Sequence, residues 1–224
     1  LSWTTPASAG ASAINDLSDA LIEDTGSMYV GNDPSSTTDA ADYNLAVGTT
    51  ALDAITQGDK NTGVGYNALT TNTTGEGNTA LGYESLKENA SGGYNVAIGN
   101  NSLKKNTGGY NTAIGNSSLT AKVAGGYNTA IGHTAGNSIT SGTNNVLIGH
   151  LSDASTTTPT NQVVIGQAAI GQADNSVTLG NADVTAVYMS QDSGATVYAA
   201  ALGFGDVAMT LPTADGSANQ VLKT

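Results

Sequence analysis

The two histidines of the chain, His133 and His150, are the residues whose type and spacing come closest to metal chemistry. They lie 17 residues apart, and each directly follows a glycine. Because imidazole binds transition metals, two histidines on neighbouring turns of a repeated structure could hold one ion. No carboxylate or cysteine recurs beside them, so the sequence favours a ladder of surface histidines without a metal.

Catalytic groups are sparse in the rest of the sequence. The chain has no cysteine, and no nucleophile elbow, Walker loop or dinucleotide fingerprint occurs in the context that it requires. Paired carboxylates such as Glu84 and Glu88 lie in loop-like stretches. No aspartate recurs in the register of a calcium-binding glycine-aspartate repeat. We therefore predict that the protein is not an enzyme and has no cofactor.

Tyrosine, asparagine and lysine side chains at the expected loop tips form a candidate binding set. These residue types often contact sugars or proteins, but they are also ordinary turn residues, and the sequence favours the turn interpretation. A separate column of tyrosines at 43, 94, 110 and 127 is predicted to be a packing ladder. The candidate binding residues are Tyr66, Tyr83, Asn100, Asn101, Asn116, Lys104 and Lys105.

Composition narrows the possible partners. The 224 residues include 18 acids, six lysines and no arginine, which gives a net charge of −12. This charge argues against nucleic acid and anionic membrane surfaces, which require basic patches. No run of apolar residues is long enough to span a bilayer, so no membrane insertion is predicted. The lack of cysteine fits both extracellular and intracellular proteins.

A repeat of about 17 residues organises the sequence and predicts its fold. The most regular units read Asn-Thr-Ala-Ile-Gly, at residues 111–115 and 128–132. Counting outward from these units, the terminal glycines occupy positions 31, 48, 65, 82, 99, 115, 132, 149, 166 and 180. Seventeen extended residues span about 56 Å, enough for two strands of about five residues and two turns. Each repeat is therefore predicted to form one coil of a parallel β-solenoid.

The positions within the repeat predict which side chains face inward. The aliphatic residue before each glycine is predicted to lie inside the coil, opposite a column of leucines. The preceding alanine then points outward, because side chains alternate across a strand. We expect partner chains to pack on this alanine face, although alanine could instead fill a tight corner of a monomer. The asparagine column is predicted to form a hydrogen-bonded ladder along the solenoid axis.

The repeat units resemble the head repeats of YadA-like trimeric autotransporter adhesins, whose usual pattern is Asn-Ser-x-Ala-Ile-Gly. The longer form Gly-Gly-Tyr-Asn-Thr-Ala-Ile-Gly-x-x-Ser-Leu is similar to repeats in phage tail fibres and in surface proteins of aquatic bacteria. Residues 93–103, 109–119 and 126–136 carry it. The resemblance implies a left-handed, homotrimeric β-roll of about ten 17-residue coils. The coil is longer than is usual in the family, which predicts longer exposed loops.

The resemblance also suggests a division of the chain. Residues 1–26 are predicted to be an N-terminal connector, residues 27–184 the β-roll, and residues 185–224 a neck-like β segment with a linker. The chain begins Leu-Ser-Trp-Thr and ends Leu-Lys-Thr. These ends resemble two halves of one linker, so we hypothesise that the parent protein repeats the unit in tandem or that chains join end to end.

Three functions follow as hypotheses. The resemblance implies a structural or adhesive segment of an extracellular fibre, on a cell surface or a virion tail. The alternative is a module that binds host-surface glycans or proteins through its exposed loops. A third hypothesis is ice binding, suggested by a partial threonine column. That column contains Thr79, Thr112 and Thr129 but is interrupted by Leu45, Val96, Val146 and Val163.

Overall fold

The computed structural model describes residues 20–22, 26–31, 41–121, 124–185, 201–204 and 207–210. Within these residues the regular structure is all β, and no helix occurs. The strands are β1 (Ala20–Ile22), β2 (Met28–Val30), β3 (Leu45–Val47), β4 (Thr62–Val64), β5 (Thr79–Leu81), β6 (Val96–Ile98), β7 (Thr112–Ile114), β8 (Thr129–Ile131), β9 (Val146–Ile148), β10 (Gln162–Ile165), β11 (Ser176–Leu179), β12 (Ala201–Phe204) and β13 (Val207–Thr210).

The chain divides into two compact units, Leu1–Thr185 and Ala186–Thr224. In the second unit, β12 and β13 pair as an antiparallel hairpin. Most of the predicted connector, neck-like segment and terminal linker lies outside the described residues. Ala20–Ile22, within the predicted connector, is extended and pairs antiparallel with β2.

The first unit is a β-solenoid built on one eleven-stranded sheet. Strands β2 to β11 are parallel, and each pairs with the strand one repeat further along. The register follows the repeat, so that Ala97 lies opposite Ala80 on one side and Ala113 on the other. This confirms the predicted all-β solenoid of repeats of about 17 residues.

Each coil has one short strand instead of the two five-residue strands that were predicted. The strands β2 to β11 contain three or four residues, and turns make up most of the remaining chain between them. These turns still bond from coil to coil, as from Leu86 N to Ser102 O at 3.0 Å. The second strand is prevented by left-handed residues such as Asn101, with a φ of 55°, and Leu103, with a φ of 49°. Such residues interrupt an extended backbone.

The strand side chains face the opposite way from the prediction. The central alanine of a typical strand is fully buried, as at Ala97 and Ala113. The aliphatic residue that precedes the glycine lies on the outer face, where Ile114 is 36 % and Leu81 47 % exposed. The predicted outward alanine face is therefore wrong. The leucine column is inside as predicted, and it contains the buried residues Leu52, Leu69, Leu86, Leu103 and Leu119.

The narrow interior explains this orientation. Opposite the strands, the leucine column already fills most of the space, so that only a methyl group fits from the strand side. Three strands carry a larger buried residue at this position, namely Tyr29, Leu147 and Val164. Leu147 supports the stated reason, because Gly136 occupies the leucine position in the preceding coil. A Cβ atom added at Gly136 would lie 2.8 Å from Leu119 Cδ2. At this level of the solenoid, the large side chain comes from the strand and the small residue from the opposite side of the coil, so the interior stays filled.

A buried asparagine ladder runs along the solenoid, as the sequence predicts. The side-chain oxygen of each member accepts a backbone N–H from the next coil, as from Asn95 N to Asn78 Oδ1 at 3.0 Å. The amide nitrogen also donates to a loop carbonyl, as from Asn95 Nδ2 to Gly108 O at 3.0 Å. The members are Asn44, Asn61, Asn78, Asn95, Asn111, Asn128 and Asn145.

A second, shorter asparagine ladder was not predicted. Asn89 Nδ2 donates to Asn72 Oδ1 at 3.2 Å, and Asn106 Nδ2 donates to Asn89 Oδ1 at 3.2 Å. Each of these amides also closes its own loop, where Asn89 reaches Gly92 O and Asn106 reaches Gly108 O. The loop after Asn106 is one residue shorter, which accounts for the single 16-residue step in the repeat.

The repeat glycines combine a positive φ with close contact between coils. Gly99 has a φ of +133°, and a Cβ atom there would lie 2.5 Å from Gly115 O. Gly63 differs, because it occupies the buried alanine position of its strand. A Cβ atom at Gly63 would lie 3.4 Å from Leu52 Cγ, which is ordinary contact.

These two glycines give a matched prediction. Gly99→Ala is expected to lower the free energy of unfolding by about 2 kcal/mol or more, because it adds backbone strain and a clash. Gly63→Ala is expected to leave stability unchanged or to raise it by up to about 1 kcal/mol, since alanine restricts the unfolded chain. Denaturant unfolding monitored by circular dichroism measures both. Equal losses of stability in the two variants would contradict the close approach of Gly99 to Gly115.

The first ladder gives a second prediction. Asn95→Ala is expected to lower the free energy of unfolding by about 1–3 kcal/mol, because the backbone N–H of Asn111 loses its acceptor in a buried position. The exposed Asn100 provides a control, and Asn100→Ala is expected to change stability by less than about 0.5 kcal/mol. The same unfolding measurement compares the two variants. An Asn95→Ala variant as stable as the native chain would argue against a structural ladder.

Candidate functional site

The first residue after each of the eight repeat glycines from Gly48 to Gly166 belongs to an exposed line that we call the edge column. The glycine turns the chain out of the sheet, and the next side chain reaches solvent. Neighbouring members stay in register because each backbone carbonyl accepts an N–H from the next coil, as from Leu151 N to His133 O at 3.0 Å. The edge column contains Thr49, Tyr66, Tyr83, Asn100, Asn116, His133, His150 and Gln167.

The edge column brings together most of the predicted site residues as adjacent pairs. The rings of Tyr66 and Tyr83 stack with their centroids 5.4 Å apart. His133 and His150 follow on later coils, with ring centroids 5.2 Å apart and planes tilted by 40°. Asn101, Lys104 and Lys105 lie outside this column, further along the turn.

Tyr94, Tyr110 and Tyr127 form the predicted packing ladder, but Tyr43 does not join it, because Lys60 and Gly77 occupy the equivalent positions on the two coils between Tyr43 and Tyr94. The ring centroids of Tyr94 and Tyr110 are 5.1 Å apart, and those of Tyr110 and Tyr127 are 5.0 Å apart. Tyr94 Oη donates to Glu76 Oε1 at 2.5 Å, and this bond to a carboxylate raises the pKa of Tyr94. Because these rings cover one another, the middle ring offers a ligand only its edge and hydroxyl group.

Lys104 takes part in an ion cluster and is not a free binding group. Its Nζ lies 2.5 Å from Glu84 Oε2, while Lys87 Nζ lies 2.7 Å from Glu84 Oε1. The hydrogen bonds from Lys104 and then Lys87 lower the pKa of Glu84 to about 2. Lys105, one residue further on, is exposed. Sequence reasoning missed this cluster because Lys104 reaches Glu84 from the next coil.

The asparagines of the candidate set differ in exposure. Asn100 and Asn116 are exposed members of the edge column, whereas Asn101 is half-buried with a left-handed backbone. Asn101 Nδ2 donates to Asn100 Oδ1 at 2.6 Å. The two edge amides therefore remain accessible, while Asn101 shapes the turn beside them.

A long apolar column lies on the outer face of the sheet, and it was missed because its side chains were expected inside. We call it the outward stripe. It consists of the aliphatic residue before each repeat glycine. Its members are Val30, Val47, Val64, Leu81, Ile98, Ile114, Ile131, Ile148, Ile165 and Leu179. Ten parallel strands at about 4.8 Å give the stripe a length of about 43 Å.

The partial threonine column runs beside the outward stripe on the same face. Thr112 and Thr129 pair directly in the sheet, and Val96 and Val146 follow on either side. These side chains are half-buried. Since the adjacent column is aliphatic, this face does not carry the double threonine array that the ice-binding hypothesis requires.

Within the described ranges, no group of three or more histidine, cysteine, aspartate or glutamate side chains could hold a metal ion. No described helix is long and apolar enough to cross a membrane. In comparisons with known proteins, no family model, curated protein or solved structure matches the chain.

The ion cluster gives a pH prediction. Because the folded state holds the pKa of Glu84 below its ordinary value of 4.5, at about 2, the carboxylate stabilises the fold above pH 4.5. This contribution is lost as the pH falls from about 4.5 to about 2. The stability difference between the native chain and Glu84→Gln should therefore shrink over that range. Unfolding measured across this pH range checks it.

Glu88→Gln is the matched control for this prediction. Glu88 is exposed and lies four residues from Glu84. Its replacement should change stability little across the same range. A stability difference for Glu84→Gln that is independent of pH would contradict the assigned ion cluster.

Proposed function

We propose that this chain is a structural or adhesive segment of an extracellular fibre, in which three copies associate through the outward stripe. The observation that supports this proposal is the stripe itself, a continuous aliphatic column on the outer face of the sheet. Exposed apolar patches of this extent are typical of protein interaction surfaces. A location on a cell surface or a virion tail is part of the same proposal.

Association through the outward stripe has a favourable driving force. Ile114, Ile131 and Ile165 expose 36 %, 37 % and 40 % of their surface. Covering the remainder contributes about 1 kcal/mol for each such residue. Ten residues in line supply about 10 kcal/mol before the costs of association are subtracted. The stripe can therefore support a stable oligomer.

The periodicity of the stripe favours another copy of the same chain as its partner. A second copy presents the same side chains at the same spacing of about 4.8 Å, so that two stripes can interlock along their whole length. The number of three copies is taken from the resemblance to trimeric adhesin repeats. The contact surface is revised, because the alanine column that was expected to carry it is buried.

In this role the solenoid acts as a shaft with uniform, closely bonded coils. The inter-coil hydrogen bonds and two asparagine ladders hold its length, while the edge column faces solvent. The terminal segments on which the hypothesis of end-to-end association rests lie outside the described residues. End-to-end association therefore remains a hypothesis from the sequence.

Binding of a host-surface glycan or protein remains the second candidate. The observation that favours it is the exposed pair Asn100 and Asn116 on adjacent coils. Covered tyrosine faces make an aromatic sugar platform less suitable. Binding of the native chain to a glycan array that is lost in the double variant Asn100→Ala with Asn116→Ala would support this candidate. A native chain that binds no glycan on the array would contradict it.

The trimer is tested by mass. Light scattering of the folded native chain is expected to give three times the chain mass of 22.2 kDa. Ile114→Asp combined with Ile131→Asp is expected to give a monomer, because two charges would be buried in an apolar interface. Both residues are partly exposed in the single chain, so the solenoid itself should remain folded.

Thr74→Asp is the control for a surface charge that lies away from the stripe. Thr74 is exposed in a turn, and its replacement should leave the trimer intact. A native monomer would overturn the proposed association.

A further inference from the structure

We propose that His133 and His150 form a binding site for one divalent transition-metal ion of the Cu²⁺, Ni²⁺ and Zn²⁺ class. The two exposed rings lie on adjacent coils with centroids 5.2 Å apart. Imidazole nitrogen is a preferred ligand of these ions. This inference is independent of the fibre role and of the number of chains.

The backbone beneath the two histidines is fixed. Thr134 N donates to Asn116 O at 2.9 Å, Leu151 N to His133 O at 3.0 Å, and Ala168 N to His150 O at 2.8 Å. These bonds hold both Cα atoms at the spacing of the coils. Metal binding therefore requires only rotation of two side chains, with a small loss of conformational entropy.

The ring arrangement is compatible with chelation. A metal bound at about 2.1 Å from each nitrogen holds the two nitrogens within about 4.2 Å of each other. The 5.2 Å separation joins ring centres, and nitrogen atoms at the ring edges can approach more closely. The planes are tilted by 40°, whereas Tyr110 and Tyr127 are tilted by only 6°.

Both imidazoles are available for a metal. Neither forms an ion pair within the part of the chain that the structure describes. The side-chain contact of His133 is a long one, with 3.5 Å between its Nδ1 and Thr134 Oγ1. The net charge of −12 favours the approach of cations. With two protein ligands, the other coordination positions are left to water.

Competition against a coloured chelator tests the site with Cu²⁺, Ni²⁺ or Zn²⁺ added alone to the untagged chain. We expect one ion per chain, and little competition by Mg²⁺ or Ca²⁺, which prefer oxygen ligands. His133→Ala and His150→Ala should each weaken binding by about tenfold or more. Circular dichroism confirms that these exposed substitutions leave the fold intact.

Moving one histidine along the edge column provides a sharper control. His150→Ala with Asn116→His places a new pair at positions 116 and 133, on adjacent coils, and should restore binding. His150→Ala with Asn100→His places the two histidines two coils apart, about 9.6 Å by the sheet spacing, and should not restore it.

The outcomes separate the two interpretations. Binding that follows adjacency in the column supports the site. Binding by either single-histidine variant as tight as that of the native chain would overturn it, as would equal binding by the two relocated pairs. A native chain that binds none of the three ions would show that the histidines are only a surface ladder.

Discussion

The close approach of one glycine backbone to the next is the constraint on which the rest of the structure depends. At the repeat glycines from Gly48 to Gly166, a Cβ atom would lie 2.9 Å or less from the next repeat glycine, and the backbone takes a positive φ that turns the chain out of the sheet. This turn ends the strand and starts the edge column. Because it recurs on every coil, equivalent residues stack, and each position in the repeat becomes a column along the solenoid.

The stacked columns place the polar and apolar groups in separate parts of each coil. Alanine and leucine fill a thin interior, while buried asparagine amides satisfy the backbone groups of the loops. The large aliphatic residues that other proteins keep in their cores are placed on the outer face of the sheet. A thin coil therefore leaves part of its apolar surface for contact with another surface, which links the core directly to the proposed association.

The sequence predicts the repeat architecture well because equal spacing is visible without knowing which way a side chain points. The coil period, the first asparagine ladder and the position of the repeat glycines all follow from spacing. Side-chain direction does not, since alternation along a strand is equally consistent with alanine or isoleucine inside. The width of the interior decides between them, and that width depends on Leu86 and Leu103 from the opposite wall. The second ladder was hidden because Asn72 and Asn89 occupy a column that also contains Ile55 and Ile139.

The shortened loop after Asn106 has a consequence for how such a chain can change. One residue is missing there, yet β6 and β7 keep the same register as their neighbours. The amide of Asn106 reaches a carbonyl two residues on, where Asn89 reaches three residues on. Loop length is thus decoupled from sheet register at this corner. Insertions and deletions can accumulate at the corner during evolution, and peptides could be grafted there, while the stack of coils remains in phase.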